Sequence, residues 1–372
     1  MSYLDFCLAF EPAPDTERYR IVAHSPTVGQ VVAPFVSPFG ETRINAWRFG
    51  LIPDEMHLIG TLLFRRVFSP EILRAYHDAR RFAFRQGLAL RLKLVLNDAL
   101  MQLPWEFLFD PDANQFLALD QRVAIVRYFD FTFPSPASSF AEPAGMFVFA
   151  PGDPDALTRD PLTDVSNCAG MPLQSVQEIE MENGVKVLSE YRVLHIQAAS
   201  GRDPATGRYA ISIPDGTTMR ALTSDQLARW LRVNNAVRFV FVDANGDSSA
   251  STREASALAA ELVQRRVVSA AAAFQYPVSM LQRAAFFKAF YRLLAKDAGL
   301  DLALTEGRQT IAQMSGVWEW GAPVLYSAVR DDQPRMTRTQ FESPAVVTVP
   351  ALTHPRDVTF HMLHEELPAS KK

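Results

Sequence analysis

Two strand-to-loop passages carry the residue types most suited to chemistry. The first, Tyr191 to Gly201, reads Tyr-Arg-Val-Leu-His-Ile-Gln-Ala-Ala-Ser-Gly and offers His195 as an imidazole base. The second, Phe239 to Ser249, reads Phe-Val-Phe-Val-Asp-Ala-Asn-Gly-Asp-Ser-Ser and offers Asp243, Asn245 and Asp247. In open α/β sheets, ligands and catalytic groups gather beyond the carboxyl ends of strands, so these passages mark where chemistry is expected. Thiol chemistry needs a thiolate held beside an imidazole. The two cysteines, Cys7 and Cys168, lie far apart and form no metal-ligand spacing. Cys7 falls in a β-prone run and reads as a packing residue. Cys168 lies in the loop before the first passage, so Cys168 with His195 is the alternative active pair. Ser200 and Ser248 have no identified base.

The second passage also allows a metal reading. Asp243, Asn245, Asp247, Ser249, Ser251 and Glu254 occupy positions 1, 3, 5, 7, 9 and 12 of a calcium-loop pattern. Against it, Ser248 stands where the sharp turn needs glycine, and a β-prone run precedes the loop instead of a helix. The plainer reading is a solvated loop that caps the helix near Glu254.

These residues need a scaffold, and 372 residues with 48% hydrophobic content can bury a sizeable core. A formal net charge of -4, from 37 basic and 41 acidic residues, gives no bulk attraction to nucleic acid or anionic membranes. A local basic patch is still compatible with that balance. The sparing use of cysteine suits a reducing cytoplasm. The start lacks the pattern of a signal peptide, and no apolar stretch reaches the roughly 18 residues of a membrane span. An intracellular protein is expected, with no cofactor assigned.

Short β-prone runs at 4–10, 19–24 and 30–35, separated by turn clusters, predict an N-terminal antiparallel meander. Helical spacing follows at Ile59, Leu62, Leu63 and Val67, then a second helix with Ser69 as N-cap and Pro70 as first residue, ending before Gly87. Leucines at 88, 90, 92, 94 and 96 alternate with Arg91 and Lys93 in the clearest strand. Leu103-Pro104-Trp105-Glu106 reads as a helical turn that puts Trp105 in the core. Residues 1–133 form the N-terminal region, a Pro/Ser-rich connection spans 134–145, and a new layer starts at 146. From 146 to 330, apolar strands alternate with amphipathic helices at 224–233, 254–265, 279–295 and 300–313, which predicts a mainly parallel sheet covered on both faces. Residues 331–372 turn polar and Pro-rich, a C-terminal extension expected to be partly disordered.

An ordered set of motifs resembles the CHAT domain family. It comprises Leu-Pro-Trp-Glu (103–106), Val-Arg-Tyr (126–128), Val-Leu-His (193–195), Ala-Phe-Gln-Tyr-Pro-Val-Ser (273–279), Phe-Tyr-Arg-Leu-Leu-Ala (290–295) and Trp-Gly-Ala-Pro-Val-Leu-Tyr (320–326). The resemblance covers roughly residues 1 to 330. It implies a caspase-like three-layer α/β/α sandwich with a His after one strand and a Cys after the next as a peptidase dyad. His195 is similar to the first histidine of the family's first site. The catalytic His position, however, falls on Ala199 or, with one inserted residue, on Ser200. Asn245 stands where the nucleophilic Cys belongs, and an amide is no nucleophile. The resemblance therefore implies a degenerate member, a pseudopeptidase whose crevice (His195, Ser200, Gly201, Asp243, Asn245, Asp247) holds a protein or peptide partner. By family analogy that partner is an active peptidase, a repeat protein or an effector of a bacterial conflict or stress system.

Overall fold

The computed structural model describes residues 2–13, 19–40, 53–130, 146–149, 173–176, 191–215, 218–233, 236–244, 249–296, 298–315, 318–328 and 347–348. The connection at 134–145 and most of 331–372 lie outside them. The chain opens with β1 (Tyr3–Pro12), β2 (Tyr19–Ser25) and β3 (Gly29–Phe35), then α1 (Pro53–Val67), α2 (Pro70–Arg85) and β4 (Ala89–Val95). A short hairpin follows, β5 (Phe109–Asp110) and β6 (Gln115–Phe116), and then β7 (Val123–Tyr128), β8 (Met146–Phe149) and β9 (Leu173–Val176). Next come β10 (Val193–Gln197), β11 (Ser200–Arg202), β12 (Tyr209–Asp215), β13 (Thr218–Thr223), α3 (Ser224–Val233) and β14 (Phe239–Asp243). The remainder is α4 (Ser249–Gln264), β15 (Ala270–Phe274), α5 (Met280–Leu294), α6 (Leu300–Ser315), β16 (Pro323–Ser327) and β17 (Val347–Thr348).

One sheet of twelve strands runs in the order β17-β3-β2-β1-β4-β7-β16-β15-β14-β10-β8-β9. The meander is antiparallel as expected, and its first strand then joins β4 in parallel. A parallel block, β1, β4, β7 and β16, meets a second parallel block, β15, β14, β10, β8 and β9, at the antiparallel β15–β16 pair. Side chains along β14 alternate between the two faces: Phe239 and Phe241 enter the core beneath α1, α2, α5 and α6, while Val240 and Val242 enter the one beneath α3 and α4. Both faces are covered, which is why β10 and β14 read as nearly continuous apolar runs. The alternation of β4 is real, yet its charged face is also buried. Arg91 pairs with Asp5 and Asp301 at 3.6 and 3.1 Å, and Lys93 pairs with Asp5 at 2.5 Å.

Local signals place most boundaries. The Ser69 hydroxyl accepts from the amide of Ile72 at 3.4 Å, and Gly87, at φ +67°, ends the turn after α2. At α4 the helix starts at Ser249, five residues before the expected start at 254. Ser251 is buried and its hydroxyl accepts from the amide of Ser200 at 2.9 Å, so a tertiary contact holds helical a Ser/Thr-rich turn that intrinsic preference leaves open. Strands β9 and β11 escaped the pattern because three or four residues are too few to show a period.

The α1 helix approaches the Trp105 turn so closely that a Cβ at Gly60 would overlap the carbonyl oxygen of Phe107. Gly60→Ala is therefore expected to destabilise the fold by about 1–3 kcal/mol, as overpacking does. At Gly40, where a Cβ meets nothing within 4 Å, the same change should stay within about 0.5 kcal/mol. Urea unfolding of the two variants checks the contrast.

Candidate functional site

Strands β10 and β14 are parallel neighbours in a register that sets Gln197 opposite Asp243, so the two passages end side by side. The amide of Ala198 donates to the carbonyl of Asp243 at 3.0 Å and ties one passage to the other. Because side chains alternate, His195, Phe241 and Asp243 all face the layer of α5. This brings together two groups predicted from sequence, His195 and Asp243. It adds two others, Arg283 and Tyr291 on α5.

His195 is fully buried. A hydrogen bond of 2.7 Å joins its Nδ1 to the Tyr291 hydroxyl, and its ring stacks on Phe241 at 5.5 Å and meets the edge of Phe287 at 4.8 Å. Its Nε2 lies 3.9 Å from Asp243 Oδ2, beyond hydrogen-bond range. An adjacent carboxylate on its own would favour the imidazolium. Here Arg283 is ion-paired to that same carboxylate oxygen. Burial, followed by the Arg283 charge, pushes the His195 pKa down to about 3, so the imidazole is neutral at neutral pH.

Ser200 and Gly201 belong to β11, where the sequence suggested a site loop; Ser200 pairs with Ile211 and Gly201 with Ala210. The Ser200 hydroxyl donates to the carbonyl of Ala198 at 3.4 Å. Ala199 is exposed, and its carbonyl accepts from the amide of Ser212 at 2.8 Å. Cys168, Asn245, Asp247 and Ser248 lie outside the described residues. Cys7 sits on β1, where burial raises its thiol to about 11, unfavourable for a thiolate. Of the calcium-pattern carboxylates, Asp243 is held by Arg283, and Glu254 lies 3.3 Å from the Arg202 guanidinium. Among the described residues, no group of three His, Cys, Asp or Glu side chains could hold a metal ion, and no helix is long and apolar enough to cross a membrane.

Four of the quoted motifs converge away from this crevice. Arg127 donates to both oxygens of Glu106, at 3.1 and 2.6 Å, and to the Gln275 side-chain oxygen at 2.7 Å. The Gln275 amide donates to Glu106 at 2.7 Å and to the carbonyl of Gly321 at 3.1 Å. Trp105 is fully buried, as its motif suggested, and its indole N–H donates to the carbonyl of Leu100 at 2.7 Å. These motifs thus close a buried polar knot between β7, β15 and β16. Arg283 and Tyr291 were missed because 40 and 96 residues separate them from Asp243 and His195. One signal was there to find: a cation in the first turn of a helix opposes the macrodipole, an inconsistency that points to a tertiary partner.

A mainly parallel sheet with helices on both faces, and neighbouring strands β10 and β14 ending side by side, defines an α/β protein of the three-layer class. The CHAT domain model matches residues 58–328, and the chain belongs to the CHAT domain family. Similar solved structures include the Saccharomyces cerevisiae separase–securin complex, with 11% identity and a TM-score of 0.37 over 70% of this chain and 17% of that one. The Arg-specific cysteine proteinase gingipain R is 8% identical, with a TM-score of 0.39 over 76% of this chain and 75% of that one. A complex of the pro- and mature domains of RgpB from Porphyromonas gingivalis is 10% identical, with a TM-score of 0.40 over 68% of each chain. No curated protein matches the sequence.

Proposed function

We propose that this CHAT domain is a catalytically silent pseudopeptidase, a binding or regulatory module that takes an extended peptide or protein partner at the crevice where β10 and β14 end. The observation that carries this reading is the state of His195. A base in a peptidase dyad must take a thiol proton and return it to the leaving amine, which needs access to the reacting atoms and a pKa near the working pH. His195 is buried, engaged through Nδ1 by Tyr291 and held near a pKa of 3. Neither Ala199 nor Ser200 supplies another imidazole, and Asn245 in the second passage is not a nucleophile. Just past the end of β10, Ala199 is exposed and Gly201 partly exposed, and Met280 and Leu281 are exposed at the start of α5, the helix that carries Arg283. Exposed surface of this kind supports docking. Family membership suggests an active peptidase or a repeat protein as the partner.

Two measurements test the proposal. A thiol-reactive peptide probe followed by mass spectrometry should leave Cys168 without dyad-like labelling. Labelling of Cys168 that disappears in His195→Ala would favour an active peptidase instead. A peptide array should reveal binders that Gly201→Trp no longer retains, since a Cβ at Gly201 meets nothing within 4 Å and the indole adds bulk just past the end of β10 without a clash at its first carbon. Binders retained equally by the variant would place docking elsewhere.

A further inference from the structure

A concavity lies away from these strand ends, on the outer face of α2 and the beginnings of β4 and β7. It encloses about 750 Å³, within the range of about 300–1,000 Å³ typical of small-molecule sites. Arg74, Arg80, Arg81, Arg85 and Arg122 line it, together with His77. Its floor is apolar, formed by Leu73, Leu88 and Leu90, and the ring of Phe84 stands 60% exposed at its rim. Arg81 and Arg85 also border an adjoining hollow of about 400 Å³.

The charges do not cancel locally. Arg80 pairs with Asp120 at 2.6 Å, and Arg81 pairs with Asp78. Among the described residues, Arg74, Arg85 and Arg122 make no ion pair, and the Arg122 guanidinium lies 4.6 Å from the centre of the Phe84 ring. In a chain of net charge -4, this clustering of positive charge around one hollow runs against the overall balance. A solvated helix face would account for isolated arginines. It does not account for a concave apolar floor and an exposed phenyl ring among them.

We propose that this hollow binds a small phosphorylated molecule with a planar or apolar body, of the nucleoside polyphosphate class. Guanidinium groups bind phosphate oxygens through paired N–H donors, and three such groups without carboxylate partners match a multiply charged phosphate chain. The leucine floor and the Phe84 ring provide apolar and stacking surface for the body. Neither half alone selects this class; their adjacency does.

Titration calorimetry on the full chain with ATP, GTP, adenosine and inorganic tripolyphosphate tests the assignment. A nucleoside triphosphate should bind with one-to-one stoichiometry, tripolyphosphate at least tenfold more weakly, and adenosine without detectable heat. Arg74→Gln and Arg85→Gln should each weaken nucleotide binding by roughly tenfold, the effect of losing one charge-assisted contact. Phe84→Ser should weaken the nucleotide but not tripolyphosphate. All three side chains are exposed, so circular dichroism should remain that of the parent. Absence of heat with both triphosphates and tripolyphosphate overturns the proposal, as does a triphosphate that binds no more tightly than tripolyphosphate. Tighter binding of a single-stranded oligonucleotide than of ATP, at equal salt, would reassign the hollow to nucleic acid.

Discussion

Arg127→Met is expected to destabilise this protein by about 3–5 kcal/mol, the usual cost of removing one partner from a buried ion pair. Arg127 and Glu106 are both almost completely buried, with 2.6 Å between Nη2 and Oε2. Their mutual attraction offsets the cost of taking both charges out of water only while both are present. Without the guanidinium, Glu106 keeps the Gln275 amide as a donor, and the carbonyls of Met101 and Leu103 lose an N–H that now lies within 2.6 and 3.5 Å. Glu106→Leu should be similarly costly because it strands the cation. The double variant Glu106→Leu/Arg127→Met should cost clearly less than the two single losses combined, since no charge is then left buried. Urea unfolding of the four proteins supplies the cycle. Strict additivity would show that the pair does not act as a unit.

The pH dependence of stability should carry the signature of His195. Its pKa is about 3 in the fold against 6.5 when exposed. Folding lowers the pKa, so the stabilising contribution is complete above pH 6.5 and is lost as the pH falls through that window toward 3. A group of this kind removes about 1.4 kcal/mol per pH unit within the window, or roughly 3 kcal/mol between pH 6.5 and 4. His195→Gln retains a side chain able to hydrogen-bond Tyr291 and has nothing to titrate. Its stability should therefore fall less steeply with acid than that of the parent, while the carboxylate contribution is common to both. Unfolding curves at pH 7, 5.5 and 4 make the comparison. Parallel losses would mean that His195 is not buried and neutral in solution.

Both predictions concern residues whose types were visible in the sequence but whose environments were not. Alternating leucines announced β4, and Ser69, Pro70 and Gly87 bracketed α2, because strand period and caps are encoded within a few neighbouring residues. Leu-Pro-Trp-Glu was readable as a core turn, but Glu106 was not readable as the partner of Arg127 and Gln275, which lie 21 and 169 residues away. His195 and Asp243 marked one site because each sits at the end of an apolar strand.

Residue pattern alone was enough for the order of the longer strands and helices, though not for the short β9 and β11, for the CHAT resemblance, and for the absence of an imidazole at Ala199 and Ser200. Tertiary folding decided that β10 and β14 are parallel neighbours, that α5 covers the face to which both His195 and Asp243 point, and that Tyr291 and Arg283 engage them there. It also gathered the arginines of α2 with Arg122 around a single apolar hollow. The reason is range. Backbone periodicity and capping act over a few residues, whereas burial and charge pairing depend on distances in space, and those distances exist only once the sheet has assembled.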